Sequence, residues 1–141
     1  MLRYDIESAL INGDIEPDAI PDMWESAMQD YLGLSVNGDH SKGCLQDIHW
    51  TDGAFGYFPS YTMGAVNAAQ IAASIKQQCP DWQEHFTQGN MGFARNWLRE
   101  NIWQHGSHFP SQGLMQQATG EGSTASHLIE HLKNRYLEEI D

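Results

Sequence analysis

Basic residues are scarce in this sequence. Lys and Arg total 7 against 19 Asp and Glu, a formal charge of -12 over 141 residues. A field of that sign repels phosphate backbones and argues against nucleic-acid binding. Cysteine is nearly absent too. Cys44 and Cys79 are too few and too far apart for a disulfide framework, and neither has a C-x-x-C partner. Both are expected as buried or partly buried free thiols in a reducing compartment. No window offers the roughly 18 apolar residues of a membrane span. The opening MLRYDIESALINGD carries acids where a signal peptide would have a basic region and then an apolar one. A cytoplasmic location is therefore expected. Period-two alternation, internal repeats, low-complexity tracts and a dividing linker are all missing. The reading is one all-α domain over 1–141, long enough to bury a real core.

What is present is helical periodicity. Leu2, Ile6, Ala9 and Leu10 form one face of a helix that ends near Gly13. No Ser, Thr, Asp or Asn cap precedes Leu2, so the chain is expected to enter a helix already under way. A second helix opens at Pro21, carries Met23, Trp24, Ala27, Met28, Tyr31 and Leu32, and stops at Gly33. A polar loop follows from Ser35 to Gly43. A long helix starts near Pro59 or Ser60 and runs to Cys79, with alanines that suggest close packing on another helix. Shorter helices are predicted from Asp81 to Thr87, Gly92 to His105 and Ser111 to Thr119, and a last one from Thr124 to Ile140.

The sequence HLIEH, His127 to His131, matches the H-x-x-E-H pattern of inverted zinc metallopeptidases. On this helix the apolar stripe is Leu128, Ile129, Leu132, Tyr136 and Ile140. His127, Glu130, His131 and Asn134 should then face solvent, and a metal site is not expected. His40, His85, His105 and His108 show no regular ligand spacing. His105 and His108 sit where a helix C-terminus turns into a loop, a favourable place for imidazolium.

GCLQDIHWTDGAFGYFPSYTMG, Gly43 to Gly64, is a different case. Asp47 and His49 are two residues apart, so they are expected to reach different partners rather than each other. A carboxylate can orient an imidazole, and a fixed ring can then serve a substrate. Tyr57 and Tyr61 carry hydroxyls suited to a carboxylate or a developing oxyanion. On the residues alone, the stretch reads either as a structural loop packed by aromatics or as part of a site.

GCLQDIHW matches the G-x-x-Q-D-x-H-W motif of the thermostable carboxypeptidase (carboxypeptidase Taq) family. LRYDIESALINGDI, PDMWESAMQDYLG, HWTDGAFGYFPSYTMGAVNAAQI and WLRENIWQHG are similar to further family segments in the same order, and ATGE precedes a terminal helix. The resemblance covers essentially the whole chain. It implies the C-terminal portion of an all-helical zinc metallopeptidase that removes C-terminal amino acids. The family's zinc ligands lie in an H-E-x-x-H helix, with a further glutamate downstream, both ahead of the matching region. Neither H-E-x-x-H nor the family's I-R-x-x-A-D occurs in these 141 residues.

The resemblance thus implies no zinc ligand and no general base here, with zinc or another divalent metal belonging to the full-length enzyme. It places His49, Tyr57 and Tyr61 against the substrate. Gln46, Asp47 and Trp50 stand behind them to fix the loop, and Arg3 is expected in a structural salt bridge. Peptide C-termini are the implied partners of the whole enzyme, and a homodimer or a missing N-terminal portion the implied associations. Three readings follow: a fragment of a metallocarboxypeptidase, one half of a split enzyme, or a non-catalytic helical interaction module. The first is favoured, and the chain alone is expected to be inactive.

Overall fold

The computed structural model describes residues 1–137. Among them the regular structure is entirely helical, in seven α-helices with short 3-10 turns between them. This is the all-α architecture that the periodicity predicts. No described helix is long and apolar enough to cross a membrane. The chain forms two compact units, one over Met1–Tyr61 and one from Thr62 onward.

In the first unit, α1 (Leu2–Asn12) and α2 (Ile20–Leu32) end where the sequence places their stops. Gly13 and Gly33 both adopt the left-handed conformation, and their N–H groups return to Leu10 and Gln29 carbonyls at 3.1 and 2.9 Å. These bonds satisfy carbonyls that a helix end leaves orphaned. Pro21 lies in the first turn of α2, where no N–H is needed. Ile6 from α1 and Trp24 from α2 are each 1% exposed, and with Cys44 they form the core on which Leu2, Ile20, Met23, Val36 and Trp50 pack. A buried tryptophan of this kind is worth about 3–5 kcal/mol against alanine. Short 3-10 turns at His40–Lys42 and Cys44–Gln46 lead into the motif.

The first turn of α3 (Phe58–Gln78) belongs to the first unit and the rest to the second. The second unit continues with α4 (Trp82–Thr87), α5 (Gly92–Asn101), α6 (Ser111–Thr119) and α7 (Ser126–Tyr136). Ile75, Trp97 and Ala118 form its core, with Ile71, Phe93, Ala94, Leu98 and Ile102 packed around them. On α5 these fall at i, i+1, i+4 and i+5, one stripe of a helix. Trp97 is anchored further by its Nε1–H, which donates to Gln78 Oε1 at 3.1 Å.

Several helix ends and faces depart from the sequence reading. The helix expected to reach His105 stops at Asn101, and a separate 3-10 turn covers Trp103–His105. Ile102 leaves helical geometry there, and the Asn101 side chain donates to the Trp97 carbonyl at 2.9 Å, a local bond that competes with helix continuation. The last helix starts at Ser126, not Thr124, and the predicted end at Ile140 lies outside the described residues. Of its described apolar stripe only Leu128 is half-buried, while Glu130, His131 and Asn134 are exposed as expected. Ile129, Leu132 and Tyr136 are 50, 44 and 68% exposed, whereas His127, Glu130, His131 and Asn134 line an open groove with alanines of α3. Ala65 and Ala68 are exposed and Ala69, Ala72 and Ala73 half-buried, so the alanine face borders this groove rather than packing tightly.

One buried polar side chain organises the second unit. Gln70 is 0% exposed, and its Nε2 donates to Thr119 Oγ1 at 2.8 Å and to the Glu121 and Gly122 carbonyls at 3.1 Å. Its Oε1 accepts from the Thr124 N–H at 3.1 Å. The amide thus holds the turn between α6 and α7 largely through its backbone groups. Gln70→Leu keeps the volume and strands these partners, at an expected cost of about 2–4 kcal/mol. Urea unfolding followed by circular dichroism measures it, and a change under about 0.5 kcal/mol would show that the amide is not the clasp.

Candidate functional site around His49

The motif is positioned by α1. Arg3 and Glu7 sit one helical turn apart and face the same way as Ile6. Arg3 Nε donates to Asp47 Oδ2 at 2.6 Å, while its guanidinium lies 4.9 Å from the Trp24 ring and 5.7 Å from that of Phe58. The planar cation therefore bridges the motif to the core through both charge and stacking. Glu7 is 4% exposed and accepts from the Gly56 N–H at 3.2 Å. One helix thereby grips both ends of segment 47–56.

Gly43 opens the motif for a steric reason. A Cβ there would stand 3.3 Å from both Trp24 Cδ1 and Val36 Cγ2, tighter than ordinary contact, so a side chain would require these neighbours to give by a few tenths of an ångström. Gln46 is exposed and its Nε2 donates to the Lys42 carbonyl at 3.1 Å, bracing the adjoining 3-10 turns. Trp50 makes edge contacts with Trp24 and Phe58, at centroid distances of 6.1 and 6.0 Å. Asp47 and His49 do reach different partners, as their spacing requires.

His49 lies half-buried among aromatics. Its ring is 5.6 Å from Tyr57, 4.6 Å from Phe58 and 5.8 Å from Tyr61, and its Nε2 is 3.0 Å from the Tyr61 hydroxyl. Tyr57 and Tyr61 meet edge to face at 5.4 Å and remain 50 and 57% exposed. The structure brings His49, Tyr57 and Tyr61 together, while Gln46 turns to Lys42, Asp47 to Arg3 and Trp50 to Trp24 and Phe58. Sequence reasoning passed over Glu7 and Phe58. Glu7 left one signal, since an acid four residues from Arg3 and next to Ile6 falls on the inward side of α1.

The hydrogen bond fixes a tautomer. His49 Nδ1 is buried without a partner. A buried N–H with no acceptor is costlier than a buried lone pair, because orphaned donors are the rarer case. In the neutral ring the proton belongs on Nε2, which donates to Tyr61 Oη. The Tyr61 hydroxyl hydrogen is then free to donate to an incoming oxygen, at an exposed edge of the cluster.

These side chains do not suit zinc. His49 is a single imidazole already engaged with Tyr61, Asp47 is turned to Arg3, and Glu7 is buried against Gly56. A zinc site needs three or four converging ligands. What the cluster does offer is hydrogen-bond donors for an anionic oxygen.

Superposition on the structure titled Trypanosoma cruzi metallocarboxypeptidase 1 gives a TM-score of 0.92 at 40% identity, over 97% of this chain and 29% of that one. The Pyrococcus furiosus carboxypeptidase structure gives 0.91 at 36% identity, over 96% and 27%. Among curated sequences, carboxypeptidase 1 of Bacillus subtilis is 35% identical over 96% of this chain, and thermostable carboxypeptidase 1 of Pyrococcus furiosus 36% identical over 97%. The fold is that of an all-helical portion of a metallocarboxypeptidase. Residues 1–136 match the family described as Carboxypeptidase Taq (M32) metallopeptidase, and the chain belongs to that family. It spans about a quarter of the curated relatives' length, 27% in each of these two.

Nitrogen-15 spectra of the histidines test the tautomer. The neutral His49 ring is expected to carry its proton on Nε2, with a marked change at that nitrogen in Tyr61→Phe. An Nδ1–H tautomer would reverse the donor assignment.

Proposed function

We propose that this chain forms the substrate side of a metallocarboxypeptidase that releases C-terminal amino acids from peptides. The observation that carries the reading is the His49–Tyr61 hydrogen bond beside exposed Tyr57, within a chain that belongs to this peptidase family. In this role Tyr61 donates its hydroxyl hydrogen to a substrate oxygen, either of the terminal carboxylate or of the carbonyl under attack. His49 holds that hydroxyl by its Nε2–H and keeps its ring oriented between Tyr57 and Phe58. Tyr57 supplies a second hydroxyl at the same edge. Arg3 and Asp47 keep the loop in place without touching substrate.

Metal activation of water, with zinc as the metal, and the general base belong to an H-E-x-x-H-bearing portion outside these 141 residues. By itself the chain is then inactive. The first unit also leaves Leu45, Ile48 and Phe55 70, 68 and 41% exposed within the 43–64 stretch. An apolar margin of that kind supports burial against further protein, and it weighs against a free-standing interaction module.

The test is a chimera in which this chain replaces the matching quarter of Bacillus subtilis carboxypeptidase 1. Zinc-dependent release of C-terminal residues is expected from free-carboxylate peptides and not from their amides. Within the chimera, Tyr61→Phe should lower kcat/KM roughly 10- to 100-fold, the worth of one hydrogen bond to a charged oxygen. A folded, zinc-loaded chimera without activity would overturn the assignment of the chain. An active chimera indifferent to Tyr61→Phe would overturn only the role of the tyrosine.

A further inference from the structure

The junction of α3 and α4 gathers three side chains that the peptidase reading does not use. Cys79, Asp81 and His85 offer Sγ, a carboxylate oxygen and a ring nitrogen all within 4.8 Å of one another, the one such group of three among the described residues. Cys79 follows the last residue of α3, and Pro80 fixes the backbone torsion that turns the chain. The Trp82 N–H closes this turn on the Cys79 carbonyl at 3.0 Å. Asp81 then stands just ahead of α4, and His85 falls one turn along it, on the same side. Cys79 Sγ is 3.2 Å from Asp81 Oδ1, and His85 Nε2 is 3.3 Å from Asp81 Oδ2.

We propose that Cys79, Asp81 and His85 bind a divalent transition metal of zinc's class, fixing the end of α3 to α4. Sulfur, nitrogen and oxygen in one set suit a borderline cation such as Zn²⁺, whereas Mg²⁺ and Ca²⁺ favour oxygen alone. Asp81 is exposed, so water can complete a tetrahedron. The imidazole is held ready, because its ring stacks on Phe93 at 5.2 Å and 28°. Without metal, burial and the neighbouring Asp81 carboxylate push the Cys79 thiol up, and the thiol's hydrogen bond helps hold the Asp81 carboxyl down. Metal binding replaces the thiol proton, which is released to solvent, and gives the carboxylate a cation instead.

One neighbour opposes the site and makes the proposal sharp. Asn90 Nδ2 lies 3.2 Å from His85 Nδ1, which makes Nδ1 the acceptor and places the ring proton on Nε2. Coordination through Nε2 moves that proton to Nδ1, where the Asn90 amide cannot accept it as placed, because its donor Nδ2 faces the ring while its Oδ1 is turned to the Gly92 N–H at 3.1 Å. Asn90→Asp keeps an oxygen for Gly92 and gives Nδ1–H an acceptor. It should therefore tighten metal binding about 10-fold, the scale on which such outer partners act.

Cobalt(II) titration of the full chain reads the site directly. One equivalent is expected to produce a thiolate-to-cobalt charge-transfer band, unaltered in Cys44→Ser and absent in Cys79→Ser. His85→Gln should weaken binding about 10-fold or more, with helicity unchanged by circular dichroism, and zinc should displace the cobalt. The absence of a band, its survival in Cys79→Ser, or equal affinity in Asn90→Asp and the parent would each overturn the proposal.

Discussion

Helix α1 imposes order on the functional segment. Residues 47–56 hold no helix of their own, and their position is set by Arg3 at Asp47 and Glu7 at Gly56, contacts across 44 and 49 residues of sequence. Closing loops of that length costs entropy that the loop itself does not return. The return comes from Ile6, buried between the two polar anchors against Trp24 and Cys44. The charged groups therefore give direction and register, while apolar burial supplies the free energy. That division fits a half-exposed ion pair, whose net worth is small even at good geometry.

The same logic governs the second unit with a neutral group. Gln70 is wholly buried, and an amide there meets both donors and acceptors without the desolvation a charge would suffer. It holds a turn of backbone, not another side chain's charge. The Ser123 hydroxyl and N–H, bonded to Asn67 and Gln112 at 2.7 and 2.8 Å, extend the clasp along the turn. Polar residues of α3, Asn67 and Gln70, thus tie the following chain to the helix, whereas its alanines only border an open groove.

Local chemistry was legible in the sequence and remote chemistry was not. Gly13 and Gly33 announced the ends of α1 and α2, and the boundaries of α6 at Ser111 and Thr119 agree with the pattern. These are signals within one or two turns of chain. Gln70 carries no signal of its role in the sequence, because periodicity cannot see that four partners converge on it from 49 to 54 positions away. The apolar stripe of α7 failed for a related reason. A stripe rule assumes that apolar residues find the nearest helix, but α3 presents small alanines there, and the polar side of α7 lies along them. At the candidate site the aromatic and histidine content was visible, and so was the separation of Asp47 from His49. The pairing of His49 with Tyr61 was not, since nothing in a spacing of twelve fixes a loop entering a helix.

Charge bears on what the His49 cluster can do. Arg3 and Lys42 are the basic residues of the first unit, and each already faces a carboxylate, Asp47 at 2.6 Å and Asp39 at 3.1 Å. Lys42 moreover helps hold the Asp39 carboxyl low, together with the Ser41 hydroxyl that contributes most. Among the described residues of the first unit, neither basic side chain is left uncommitted for His49, Tyr57 and Tyr61. Neutral donors of this kind contribute about 1–3 kcal/mol each towards an anionic oxygen, enough to orient a carboxylate but not to capture one from water. In the proposed role, the positive group for a substrate carboxylate would have to come from outside the first unit. The tyrosines would then set the geometry of an anion whose affinity comes mainly from that charge, and their removal would weaken positioning more than binding.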